Sequence, residues 1–249
     1  MSAPGSAPIA VLGAMDAEIS EFLAHARMIR SESWNGFAFH TISLEGREVV
    51  LAKCGIGKVF AALAAQRIID AYSVSRMIFT GVAGALNPAY GIGDVVVSRD
   101  CMQHDVDGRA LGFARGRLLY TDLKAFAADP EMARLAAAAP AVGHRVHTGR
   151  ILTGDQFMNR DEINHHRYLI EEMEGDAVEM EGGAMAQVCA VNRVPFVVVR
   201  TISDRADGDA VHDFNRFLPV VAHNSFAIAR HVLANLGREG ESPSIGGAA

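Results

Sequence analysis

Two carboxylates flank a thioether in the stretch AVEMEG, residues 177–182. Ala177 and Val178 read as the end of a buried strand, and Gly182 and Gly183 follow at once. Alternation along a strand puts Glu179 and Glu181 on one face and Met180 on the other. A carboxylate at the edge of a core is costly unless something binds it. Other apolar runs break in the same way. Glu18 lies just beyond Met15, and TGVAGAL (80–86), TGDQFM (153–158) and RTISD (200–204) each end an apolar run in polar or Gly-rich residues. In open α/β sheets, ligands sit outside the carboxyl ends of the strands. One crevice lined by Glu18, Glu181, Arg200, Asp204, Phe157, Met15 and Met180 is therefore expected.

Each residue also has a plainer reading. Glu18 suits a helix's first turn, where the dipole favours acids. Asp204 suits a turn, Met15 and Met180 suit a core, and Glu181 could cap a helix after Gly182. Arg200 resists such a reading, because a charge at the end of the buried run FVVV requires a partner. An acid from the first strand's loop is a candidate for it. Other motifs are weak. GIGK (55–58) lacks the spacing and the Ser/Thr of a P-loop and the third Gly of a dinucleotide fingerprint. QHDVD (103–107) offers His104, Asp105 and Asp107 as hard-metal ligands, but without a partner cluster. His165 and His166 diverge by about 100° on a helix, which argues against joint ligation. There is no GxSxG elbow. No metal and no cofactor are expected.

A frame is needed to bring the strand ends together. IAVLGAM (9–15) reads as a buried strand and DAEISEFLAHARMI (16–29) as a helix with its apolar residues on one face. FAFHTISL and REVVLAKCG read as a hairpin turning at Glu45-Gly46. GKVFAALAAQRIIDAY is a helix opened by Gly57. RMIFTGVAGAL, GIGDVVVSRDCMQHD, RVHTGRILTGDQF, GDAVEME and PFVVVRTISD read as strands, with the helix GAMAQVCAV before the last. A long helix covers 213–236. This alternation predicts an α/β fold around a mixed, largely parallel sheet.

The chain has 249 residues, half of them hydrophobic, which supports a sizeable core. One domain over 9–236 is expected, with tails at 1–8 and 237–249. Net charge is −6 and no long basic run occurs, which argues against nucleic acid as a partner. Three widely spaced cysteines suit reduced thiols in a cytosolic protein. No signal peptide or membrane span is evident, so a cytoplasmic location is expected.

GAMDAEI, GIGKV, GVAGAL, GDVVVS with QHDVD, TGDQF, AVEMEG, VPFVVVRTISDRAD and FNRFL occur in this order between about Ile9 and Leu236. Together they resemble the bacterial 5′-methylthioadenosine/S-adenosylhomocysteine nucleosidases of the nucleoside phosphorylase superfamily. The resemblance implies a three-layer αβα sandwich, usually a homodimer. The implied substrate is a small adenine nucleoside, whose N-glycosidic bond is hydrolysed by water to adenine and a 5-thioribose. By the same resemblance, Glu181 accepts hydrogen bonds from the ribose 2′- and 3′-hydroxyls, for which a carboxylate is an apt acceptor. Glu18 binds and deprotonates the water, with Arg200 nearby, and Asp204 protonates or hydrogen-bonds adenine N7, oriented by Ser203. Phe157 stacks on adenine and the Met158 backbone reads its edge. Met15 and Met180 lie near the sugar, and Phe214 near its 5′ end. Ile56 and the 104–119 loop, with Leu111 and Phe113, match parts that cross to the partner subunit. Glu179 is expected to support a neighbour.

Two positions depart from the pattern. Val82 stands where some relatives carry serine, and Leu111 stands where some carry an aromatic residue. These bear on the 5′-substituent, and aminodeoxyfutalosine or 5′-deoxyadenosine remain alternative substrates. A phosphorylase of the same fold is disfavoured, because Asp16, Glu18, Phe79 and Val82 occupy places where that pattern has phosphate-binding arginine and serine. A non-catalytic nucleoside-binding protein is disfavoured by the joint presence of Glu18 and Asp204.

Overall fold

The computed structural model describes residues 7–204 and 210–237, with the backbone alone for Arg160 and for 210–221. The expected tails lie outside the described residues apart from 7, 8 and 237. Strand β1 (Ile9–Gly13) leads into α1 (Asp16–His25), and β2 (Arg27–Trp34), β3 (Phe37–Leu44) and β4 (Arg47–Lys53) form a meander. Helix α2 (Lys58–Tyr72), β5 (Arg76–Ala85) and β6 (Val95–Gln103) follow. After the 104–124 loop come β7 (Ala125–Ala127), α3 (Pro130–Ala137), β8 (Val146–Thr153), α4 (Arg160–His165) and α5 (Tyr168–Glu171). The chain closes with β9 (Ala177–Glu179), α6 (Gly182–Asn192), β10 (Phe196–Asp204) and α7 (Ala210–Asn235).

The strands form one sheet in the order β10-β6-β8-β9-β5-β1-β4-β3-β2, with β7 on β6. Strand β5 also pairs with β10, so β10, β6, β8, β9 and β5 close into a ring. The sheet is mixed beyond the hairpin. Strands β1–β4, β1–β5, β5–β10, β6–β8 and β8–β9 run parallel, whereas β6–β10 and β5–β9 are antiparallel.

Strand alternation sorts the core into two layers. Ala10 and Leu12 of β1, with Val198 and Ile202 of β10, face Ala61, Ala65 and Ile68 of α2 and Met185 and Cys189 of α6. Ile9 and Val11, with Val197 and Val199, face Phe22 of α1, Met132 of α3 and Phe226, Ala229 and Leu233 of α7. Helices therefore cover both faces of the sheet, and strands buried on both sides read as continuous apolar runs.

Residues 27–29 are strand, not the end of the first helix. That helix stops at Ala26, whose backbone is extended. Asn35 and Gly36, with φ of 46° and 85°, make a two-residue turn that pairs β2 with β3. Two consecutive positive φ values match the twist of the flanking strands, so pairing prevails over local helical preference. Glu45 and Gly46 repeat the geometry at the expected hairpin. Among the described residues, no helix is long and apolar enough to cross a membrane.

Candidate active site

Glu18, in the first turn of α1, does not face solvent. Its side chain folds back over the end of β1, where one carboxylate oxygen accepts from Ala14 N at 2.6 Å and Met15 N at 3.0 Å. The other accepts from Val82 N of β5 at 3.1 Å. The residue is 2 % exposed. Burial raises its pKa, opposed by the charge of Arg200 and by these three N–H groups.

Arg200 is fully buried on β10, beneath the cavity floor, with Phe79 under its guanidinium at 4.5 Å. Its ion-pair partner is Glu179, and Glu181 lies at 3.5 Å. The expected partner from the first strand's loop, Glu18, is not the one that pairs. Its oxygens are taken by backbone donors, whereas Glu179 ends a strand of the same closed ring as Arg200.

Glu179 also accepts from the Thr153 hydroxyl, from Glu181 N at 3.1 Å and from Gly182 N at 2.7 Å. It thereby satisfies the first turn of α6, a task that Glu181 at the N-cap position does not perform. Glu181 instead accepts from Gly57 N at 2.8 Å and faces the cavity. Its pKa is raised by burial first and by the Glu179 charge second, with Arg200 and Gly57 opposing. The two acids of AVEMEG thus divide their work: one neutralises the arginine, and the other keeps acceptor capacity toward a ligand.

Asp204 ends β10 opposite Gly84, after a register irregularity between Ile202 and Asp204. Such a bulge re-aims a side chain. Ser203 Oγ donates to Asp204 Oδ2 at 2.9 Å.

Glu18, Glu181 and Asp204 open onto one cavity of about 230 Å³, together with Met15, Ile56, Val82, Phe157, Met158, Met180 and Ser203. Three described residues of the expected set do not line it. Arg200 lies below the floor. Leu111 is 61 % exposed, in a short 3-10 turn (Arg109–Leu111). Phe113 packs edge-on against Tyr120, with ring centroids 5.3 Å apart. The loop that carries both is anchored elsewhere, through Arg115 over the Tyr168 ring at 3.6 Å. Phe214 belongs to α7, and its side chain lies outside the described residues. Asp105 pairs with Lys58, and Asp107 with Arg109 and Arg115. Among the described residues, no group of three or more His, Cys, Asp or Glu side chains is arranged to hold a metal ion.

Residues 8–234 match the family model of the phosphorylase superfamily. A 5′-methylthioadenosine/S-adenosylhomocysteine nucleosidase of Colwellia psychrerythraea is 36% identical over 235 residues, covering 91% of this chain and 95% of the relative. The chain belongs to the methylthioadenosine/S-adenosylhomocysteine nucleosidase family of the phosphorylase superfamily. Among solved structures of this family, the Neisseria meningitidis nucleosidase in complex with methylthio-immucillin-A superposes with a TM-score of 0.87. It is 35% identical and covers 92% of this chain and 100% of that one. Futalosine hydrolase of Helicobacter pylori superposes with a TM-score of 0.85 at 31% identity, covering 92% of this chain and 98% of that one.

Some parts of this nucleosidase-family site carry no signal in the sequence read alone. Gly81 is one, because an added Cβ would collide with both the Arg200 guanidinium and the Glu18 carboxylate. Gln156 is another; it lines the cavity and donates to Glu162 at 2.7 Å.

Proposed function

We propose that this chain hydrolyses the N-glycosidic bond of 5′-methylthioadenosine and S-adenosylhomocysteine, releasing adenine and the 5-thioribose. The observation that carries the reading is the placement of two buried carboxylates, from α1 and from β10, against one strand, β5. Glu18 bonds to Val82 N and Asp204 sits opposite Gly84, two residues further along β5. These two anchor points lie about 7 Å apart along the strand, so the acid and the base stand at separate places along one cavity wall, as hydrolysis between an acid and a base requires.

In this reading, ionised Glu18 takes a proton from water as its oxygen bonds to C1′. The C1′–N9 bond breaks, its electron pair goes to adenine, and Asp204 supplies or shares the proton at N7. Ser203 fixes the Asp204 carboxyl. Glu181 accepts the ribose hydroxyls, and its charge favours the positive charge that builds on the sugar. Arg200 is a positioning residue, because its charge acts through Glu179 and Glu181. Phe157 stacks on adenine, Met158 reads its edge, and Met15 and Met180 lie against the sugar.

We also infer a homodimer in the cytoplasm. Ile56, Val59, Phe60 and Leu63 form an exposed apolar face on and before α2, and Ile56 also lines the cavity. A second copy burying this face would bring its own Leu111 and Phe113, and possession of the 5′ group would fall to that loop. A carboxylate at Glu18 and an apolar Val82 disfavour a phosphate anion beside them, which favours water over phosphorolysis. The futalosine hydrolase likeness keeps a second nucleoside class open at the 5′ end. An adenine-release assay across methylthioadenosine, S-adenosylhomocysteine, 5′-deoxyadenosine, adenosine and aminodeoxyfutalosine tests the reading. The expected order places the two thio-nucleosides first; no adenine from either would overturn it.

A further inference from the structure

The GIGK stretch fits no phosphate-binding motif, yet its last two residues are fixed by carboxylates from three other segments. Gly57 N is held by Glu181. Lys58 N donates to Asp155 Oδ1 at 2.8 Å, and Lys58 Nζ donates to Asp105 Oδ1 at 2.7 Å. Asp155 N donates to the other Asp105 oxygen at 3.1 Å and closes the cycle. Backbone and side chain of one lysine, backbone and side chain of one aspartate, and both oxygens of another thus form a three-residue ring. The Lys58 and Asp105 side chains are only 19% and 31% exposed, so the pair is partly shielded from water.

The ring sits where two lips of the cavity meet. One lip is Ile56, followed by Gly57, whose N–H holds Glu181. The other is Gln156, Phe157 and Met158, immediately after Asp155. Local backbone leaves little play at the junction. Gly57 has φ of 102°, open to glycine alone, and a Cβ there would press on Asp155 Oδ1 at 3.2 Å. Gly154 has no room for a Cβ against the buried ring of His104.

We propose that Lys58, Asp105 and Asp155 are positioning residues that set the distance between the purine wall and the ribose-binding carboxylate. This rests on the nucleosidase reading above. A ligand that touches both lips depends on their spacing, whereas free adenine touches one. Loosening the ring therefore weakens nucleosides selectively. It affects binding more than the bond-breaking step, because Glu18 and Asp204 are anchored on β5 and β10 and not on the ring.

The test is steady-state hydrolysis of methylthioadenosine by Lys58→Met, Asp105→Asn and Lys58→Arg, with calorimetric binding of free adenine to each. Lys58→Met and Asp105→Asn should each raise KM about tenfold, the size of one charge-assisted hydrogen bond, with kcat changed less. Adenine affinity should stay within about twofold of the parent, and Lys58→Arg should recover most of the loss. The double variant Lys58→Met/Asp105→Asn should be no worse than either single one, since both cut the same ring. Unchanged KM in folded Lys58→Met and Asp105→Asn, or equal weakening of adenine and nucleoside, would overturn the proposal. A parent protein that releases no adenine would instead overturn the nucleosidase reading.

Discussion

At the scale of single residues, the proposed roles separate groups that would touch substrate from those that hold them. Asp204→Asn and Glu18→Gln should each lower turnover by about a hundredfold or more with the melting temperature little changed, as expected for loss of a general acid or base. Steady-state rates and thermal melts check this; near-parent turnover would show the roles misassigned. Gly81→Ala should cost stability as well as activity, about 1–3 kcal/mol for overpacking against Arg200 and Glu18, measured by chemical denaturation. The raised carboxyls predict a pH dependence. Glu181 sits above its ordinary value of 4.5, so the folded state holds that proton more tightly than the unfolded chain. The resulting stability is full below pH 4.5 and is lost as pH rises through the raised value. Glu181→Gln escapes that loss, so its melting temperature should gain on the parent's as pH rises from 4.5. A difference that shrinks over the same range would contradict this. Glu181 and Asp204 were legible in the sequence because each lies where an apolar run ends, and Glu18 because it lies just beyond one. The partner of Arg200 was not. Three acids compete for it, and the choice depends on which oxygens the backbone has already taken.

At the scale of elements, the site is built where β1, β5, β9 and β10 end and α1, α2 and α6 begin. The strand ends were readable because buried strands are apolar throughout and stop abruptly. The boundary of α1 was not, because Arg27–Trp34 has helical composition and the Asn35-Gly36 turn behind it decides for a strand. Helix α3 was also missed, although Asp129 caps it by accepting from Met132 N at 2.9 Å and Pro130 follows at its first position. It is a short helix whose apolar period, Met132, Leu135 and Ala136, covers barely two turns inside an alanine-rich stretch. The exposed face of α2 carries the prediction at this scale. In the proposed homodimer, Val59→Glu or Phe60→Glu should shift the protein to monomer in sedimentation and lower activity on methylthioadenosine. Leu111→Asp should weaken methylthioadenosine more than adenosine, because only the former has apolar atoms for the loop to bury, at about 0.8 kcal/mol per CH₂. A fully active monomer, or equal losses on both nucleosides, would contradict the shared-site reading.

At the scale of the whole molecule, closure of β10, β6, β8, β9 and β5 into a ring explains how a buried arginine is tolerated under a site rich in acids. Arg200 and Glu179 neutralise each other inside the ring, which leaves Glu181 and Glu18 available at its mouth. An alternation of strands and helices announces a layered sheet, but ring closure depends on β5 pairing with three strands at once, and no local pattern encodes that. The central claim is that water, activated at Glu18, is the nucleophile in this cavity. Its most direct test is NMR identification of the sugar product after complete turnover of methylthioadenosine in phosphate buffer containing a metal chelator. The account predicts free 5-methylthioribose at a rate that neither phosphate nor chelator changes. Formation of 5-methylthioribose 1-phosphate would contradict it.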